Sequence, residues 1–235
     1  MIQKFRPIIK RFIACALLVH WVGMDAFGLD PIAVLAPTDC DGNNFGDSVA
    51  ISGDYIAVGA PLDPCFNGDL FGAVYVFRRL GPTWVQVAKL TAPNPVWMDQ
   101  LGYSVAMEGD VIVAGAPRYH WGSLYESGPG AVYVFRRDDN VTPDDPWDDT
   151  WPLEDTLIGP NPQQGQILGA SVAISGNVIV AGNPGFGESA EVFRWNEGVW
   201  LHEASLSESG APSGDRFGSS VDIDCNRIVV GAPYF

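Results

Sequence analysis

Short apolar runs recur along this chain, each cut by a two-residue turn and followed by a second short run. Four times the phrase is nearly the same: Phe45-Gly46-Asp47-Ser48-Val49-Ala50-Ile51, Leu101-Gly102-Tyr103-Ser104-Val105-Ala106-Met107, Leu168-Gly169-Ala170-Ser171-Val172-Ala173-Ile174 and Phe217-Gly218-Ser219-Ser220-Val221-Asp222-Ile223. The second runs end in Gly59-Ala60-Pro61, Gly115-Ala116-Pro117, Gly182-Asn183-Pro184 and Gly231-Ala232-Pro233. Ser52-Gly53-Asp54, Glu108-Gly109-Asp110 and Ser175-Gly176-Asn177 separate the runs, as tight hairpins that tolerate positive φ require. The closing Pro lacks an N–H and ends the ladder.

A third strand follows in Gly72-Ala73-Val74-Tyr75-Val76-Phe77-Arg78-Arg79 and Gly130-Ala131-Val132-Tyr133-Val134-Phe135-Arg136-Arg137, and more weakly in Ala190-Glu191-Val192-Phe193-Arg194. A fourth carries Trp84 and Leu90, Trp151 and Leu157, or Trp200 and Leu206, each pair six residues apart. An even separation predicts that both side chains of a pair share one strand face. The repeats start 56, 67 and 49 residues apart, with the variation falling between strands: an extra stretch at Asp138–Thr150 and a trimmed Gly185-Phe186-Gly187. A unit this small cannot bury its apolar faces alone, so it must stack on its neighbours. The expectation is an all-β chain of four-stranded antiparallel blades in a β-propeller, incomplete, with three full blades plus half of a fourth.

These phrases resemble the FG-GAP repeats that build the propeller of integrin α subunits and of many secreted bacterial proteins, over Leu29 to Phe235. The calcium-binding members of that family join their first two strands by a loop rich in Asp and Asn. Here that link is Gly53-Asp54, Gly109-Asp110, Gly176-Asn177 or Cys225-Asn226, too few oxygens for a calcium shell, so no calcium site is carried over. Leu29 to Pro37 aligns with the Trp-to-Leu strand and reads as the outer strand of a closing blade. The array is then a piece of a six- or seven-bladed ring, a truncated reading frame, or a small ring in which that strand pairs with the Ile228-Val229-Val230 sheet. Open blade edges would favour self-association.

Lys4, Arg6, Lys10 and Arg11 precede an apolar run to about Gly23 and small residues near Ala26, which reads as a secretory leader over residues 1–26, with the propeller in 27–235. The run is too short to span a bilayer, so no membrane insertion is expected once the leader is gone. Removing it takes away four positive charges and one negative, moving the net charge from −15 to −18. So acidic a surface repels nucleic acid and anionic lipid. Of the three remaining cysteines, Cys40 and Cys65 fall in the two loops of one propeller face and are expected to form a disulfide, which an oxidising compartment permits; Cys225, in a turn at the opposite face, is the odd thiol.

The chain lacks the Gly-x-Ser-x-Gly, His-Glu-x-x-His, Cys-x-x-Cys and Walker patterns, and the only histidines after the leader are His120 and His202. Loops around the second blade gather Trp97, Tyr119, His120, Trp121 and Tyr125 near Asp99, flat aromatics beside a carboxylate that suit a sugar ring or a peptide. Asp39, Asp41, Asn43 and Asp47 form the best oxygen cluster for a cation, although without the bidentate Glu of a full calcium loop. The run Asp138-Asp139-Asn140 to Asp148-Asp149, with Pro143 and Pro146, reads as a solvated loop. No cofactor is expected. The expectation is an exported, non-enzymatic, adhesion-type module at the cell surface or outside it, recognising a protein or glycan; the alternative is a non-catalytic propeller module of a secreted hydrolase or lyase.

Overall fold

The structure, a computed structural model, describes residues 19–22, 31–38, 44–64, 70–119, 128–139, 148–208 and 214–234. Sixteen strands and no helix occur among them. The first blade holds β3 (Ser48–Ser52), β4 (Tyr55–Ala60), β5 (Ala73–Leu80) and β6 (Thr83–Leu90). The second holds β7 (Ser104–Glu108), β8 (Val111–Ala116), β9 (Ala131–Arg136) and β10 (Leu153–Leu157). The third holds β11 (Ser171–Ser175), β12 (Val178–Asn183), β13 (Ser189–Asn196) and β14 (Val199–Leu206). β15 (Ser220–Asp224) and β16 (Arg227–Gly231) form the inner half of a fourth. Within each sheet the strands lie in chain order and every neighbouring pair is antiparallel.

The blades fan out from their first strands, since β3, β7, β11 and β15 stand side by side. Every residue of β4, β8 and β12 is buried: the second and third blades have a neighbouring sheet on each face, and the first has the second blade on one face and Leu35 of the strand before it on the other. Each blade turns one face forward and one back. Ala57, Val74 and Val76 on the first blade meet Ile112, Ala114 and Phe135 on the second, and Val113, Val132 and Val134 on the second meet Ile179, Ala181 and Phe193 on the third. Burying one such side chain contributes about 1.5–3 kcal/mol, and these contacts are the main cohesion between blades.

The recurring glycines belong to the same interfaces. Gly46, Gly102, Gly169 and Gly218 each donate the backbone N–H to the carbonyl of Gly59, Gly115, Gly182 and Gly231 of their own blade, at 2.9–3.0 Å. The carbonyls of Gly102, Gly169 and Gly218 in turn sit against the glycine of the preceding blade: a Cβ on Gly59 would lie 2.0 Å from the Gly102 oxygen, and one on Gly115 1.9 Å from that of Gly169. Ser48, Ser104 and Ser171 donate their hydroxyls to those same carbonyls, at 2.8, 2.8 and 3.0 Å. The repeated phrase is therefore a joint: one glycine gives up its side chain so that the next blade's backbone can reach a serine.

β2 (Pro31–Leu35) lies beside β6 much as β10 lies beside β14, and Leu35 is buried with Phe45, Ile56 and Tyr75 on the first blade's free face. β1 (Val19–Val22), inside the stretch read as a leader, pairs antiparallel with β2.

One expectation is corrected. Trp84 packs on the first blade's face that meets Leu35 of β2 whereas Leu90 packs on the opposite one, and Trp151 and Leu157, like Trp200 and Leu206, are split between two faces in the same way. The cause is a bulge in each outer strand: Val76 pairs with Ala88 but Phe77 with Gln86, so Val87 is an extra residue. Equivalent shifts occur in β10 and β14. One extra residue inverts the alternation, so six-residue spacing joins two cores instead of one.

Candidate functional site

Because neighbouring strands run antiparallel, the loops before each first strand and those between second and third strands meet at one rim, and the two-residue turns lie at the other. In those turns the first residue has positive φ: +56° at Gly53, +59° at Gly109, +57° at Gly176 and +57° at Cys225. Such short turns present little side-chain chemistry.

The first of the two rims, the glycine-loop rim, whose loops before the first strands carry Gly46, Gly102, Gly169 and Gly218, presents more. Trp97, in the loop leading to the second blade, is 56% exposed, and Phe186, between the second and third strands of the third blade, is 64% exposed. Both loops are pinned beneath their aromatics. Asp99 is buried and accepts the Val96 N–H at 2.8 Å, while Met98 donates its N–H to the Leu70 carbonyl at 2.8 Å. Phe186 donates its N–H to the Gly165 carbonyl at 2.8 Å. Gln166 stands at the repeat position of Asp99 and accepts the Gln163 N–H at 2.9 Å in the same way. A tethered loop holds its aromatic without paying for ordering it on binding.

Of the residues singled out in the sequence, the structure brings Asp99 and Tyr119 together around Tyr133. The Tyr119 and Tyr133 rings meet edge to face at 6.1 Å. Burial, and then the Asp99 charge and Tyr119, push the Tyr133 phenol well above its ordinary value. Asp99 thus faces inward, and Trp97 alone of the three faces solvent. His120, Trp121 and Tyr125 lie outside the described residues. So do Asp39, Asp41 and Asn43; Asp47 is exposed and accepts a hydrogen bond from Asn44 at 2.9 Å. Cys40 and Cys65 also lie outside them. Cys225 is an exposed free thiol whose hydrogen bond to Asp224 raises its pKa.

Among the described residues, Asp63, Asp99, Glu191 and Asp215 are buried carboxylates near this rim, and the first three belong to the three full blades. In the first blade the Tyr75 hydroxyl donates to Asp63 at 2.5 Å and Lys89 Nζ reaches it at 3.0 Å. In the second, Asp99 takes that place beside Tyr133. In the third it is Glu191, hydrogen-bonded by Ser189, Ser205 and His202. His202 and Ser205 suggest a nucleophile and its base, but Ser205 Oγ (3.3 Å) and Glu191 Oε2 (2.7 Å) approach the same ring nitrogen, Nε2. A proton relay needs the acid and the nucleophile on opposite nitrogens. Sequence reasoning passed over Phe186 and Glu191, although the signal was there: Glu191 stands where the other repeats have Tyr75 and Tyr133.

At the opposite rim Asp149, the last residue of the acidic run read as a solvated loop, is buried, whereas Asp138 at its start is exposed and residues 140–147 lie outside the described residues. The Asp149 carboxylate is fully buried, taking a 2.5 Å hydrogen bond from Tyr55, with Arg78 at 3.2 Å and Arg137 at 3.5 Å. Both guanidiniums lie over the Tyr55 ring, at 5.3 and 4.9 Å. This clamp ties the far end of the second blade's insertion to the first blade. Beside it, Arg136 is held by Glu154 at 2.5 Å and by Asp110 at 3.2 Å, and the hydrogen bond to Glu154 leads in raising its pKa. Arg137 Nε is buried here without a hydrogen-bond partner, so the clamp is not fully saturated.

A family model of the FG-GAP repeat matches residues 32–77, 84–135 and 200–234, together more than half of the chain. The unmatched stretch between the second and third of these contains Asn183, Ser189 and Glu191, where the third blade departs from the pattern of the first two. No curated protein matches the chain.

Proposed function

The chain belongs to the FG-GAP repeat family, and from that premise we propose that it is an exported, non-enzymatic binding module, secreted or held at the cell surface, which recognises a protein or glycan through its glycine-loop rim. The carrying observation is the pair of exposed aromatics, Trp97 and Phe186, each on a backbone-tethered loop of that rim. Large rigid aromatics lose little conformational freedom on contact and dominate binding energies where they become buried.

Binding of the full chain to an array of glycans and extracellular-matrix proteins tests this, with Trp97→Ala and Phe186→Ala beside the unaltered chain and with the retained ligand analysed for products. Retention that falls about tenfold in either variant, with the ligand recovered intact, supports the proposal. Cleaved ligand, or retention indifferent to both substitutions, counts against it.

A further inference from the structure

The third blade differs from the others at one place on the face it turns toward the second. The first two blades carry Ala60 and Ala116 at the end of the second strand, Ala73 and Ala131 opposite them, and Tyr75 and Tyr133 two residues further on. In matching register the third carries Asn183, Ser189 and Glu191, all three buried. A carboxylate leaves water only where donors replace its hydration. Here Ser189 Oγ donates to Oε1 at 2.8 Å, Ser205 Oγ to Oε2 at 2.6 Å, and His202 Nε2 stands 2.7 Å from Oε2. A carboxylate has about four acceptor sites, so this shell leaves room for another donor.

That room is visible. A cavity of about 220 Å³ lies between Glu191 and the loop leaving the second blade, with Asn161 and Gln166 on its far wall and Ser205 at its exposed side. Neither lysine nor arginine lines it.

The first blade shows which chemistry this register takes. Lys89 pairs with Tyr75 there, as Ser205 pairs with Glu191 in the third. Lys89 Nζ lies 3.0 Å from the buried Asp63 carboxylate and 5.1 Å from the centre of the Tyr75 ring. The fold thus seats an ammonium beside a buried carboxylate at this position, from within its own chain. A serine at Ser205 is too short to do the same.

We propose that the third-blade cavity binds a primary ammonium group on a flexible alkyl chain, taken from a free amine or from a lysine side chain of a protein, with Glu191 as the counter-charge. The hydroxyl of Ser205 and the amide oxygen of Asn161 accept its remaining hydrogens. The volume equals that of about seven liquid waters, enough for the ammonium and a short alkyl stem. A chain of net charge −15 also draws cations toward it. The lysine source rests on the rim-binding proposal, because the cavity opens on that rim; the free-amine source does not.

The test titrates the full chain with n-butylammonium, with n-butanol as the uncharged analogue, and with a lysine-containing peptide beside its Nε-acetylated form, following binding by calorimetry and by NMR shifts. For butylammonium the expected dissociation constant is on the order of 1 mM, with n-butanol at least about tenfold weaker. Glu191→Gln weakens binding about tenfold, and Ser205→Lys, which restores an internal ammonium, abolishes it while the thermal melt stays cooperative. A peptide that binds tighter than butylammonium and loses that advantage on acetylation identifies a protein-borne lysine; equal binding identifies the free amine. The inference is overturned if butylammonium does not bind, if butanol binds as well, or if folded Ser205→Lys binds like the unaltered chain. Loss of amine binding beside unchanged Trp97-dependent retention defeats this inference alone and leaves the rim proposal standing.

Discussion

Ser104 of the second blade donates its hydroxyl hydrogen to the carbonyl oxygen of Gly169 in the third, at 2.8 Å. The same oxygen lies where a Cβ on Gly115 would stand, 1.9 Å away. Two backbones and one hydroxyl therefore share a space that admits no further carbon, and the bond repeats from Ser48 to Gly102 and from Ser171 to Gly218.

Gly115→Ala is expected to lower stability by about 2–4 kcal/mol, because the second and third blades must separate to admit the methyl. Gly109→Ala is the control: its Cβ meets nothing within 4 Å, and its φ of +59° alone costs about 1 kcal/mol. Urea unfolding of both variants gives the comparison. Equal, small losses would mean that the blades do not nest at these glycines.

The clamp at the opposite rim has its own signature. Asp149→Ala strands two partly buried guanidiniums and is expected to cost about 3 kcal/mol, whereas Tyr55→Phe removes one hydroxyl and costs about 1–2 kcal/mol. Burial, then the bond to Asp149, pushes the Tyr55 phenol up to about 12 from an ordinary 10. Its neutral form is favoured by folding, so this contribution is fully present below pH 10 and lost as pH rises toward 12. Alkaline unfolding should therefore begin at higher pH in Tyr55→Phe, relative to its own neutral-pH stability. Identical pH profiles would count against the clamp.

The fold was largely legible in the residues because each blade announces itself twice, once at Phe45-Gly46 or its equivalents and once at Gly59-Ala60-Pro61 or its equivalents. The nesting of Gly59 against Gly102 explains that recurrence: a contact made at every interface leaves its mark in every repeat. What stayed hidden were matters of one residue or of long range. Val87 inserts a single position into β6 and moves Trp84 to the other core, and alternation counted along the chain cannot detect an insertion in the pairing. Asp149 sits among neighbours of like charge in sequence, yet its partners Tyr55 and Arg78 belong to another blade. The third-blade cavity was legible only as a departure, Asn183 for Ala and Glu191 for Tyr, which reads as decay until the register puts both on one wall.

Thiol counting addresses the cysteines. In a chain lacking residues 1–26 and made in an oxidising compartment, denatured without reductant, one thiol is expected to label, at Cys225, with Cys40 and Cys65 joined. In the folded chain Cys225 should label slowly at neutral pH, because its bond to Asp224 raises the thiol pKa and the thiolate is the reactive form. Three labels per denatured chain would remove the disulfide.

Backbone hydrogen exchange of the full chain, with and without the ligand retained on the array, tests most directly the claim that function resides on the glycine-loop rim. Added protection is expected in residues 96–103, 158–167 and 184–188, and none in the hairpin turns at 53–54, 109–110 and 176–177. Protection confined to those turns, with the rim unchanged, would contradict it.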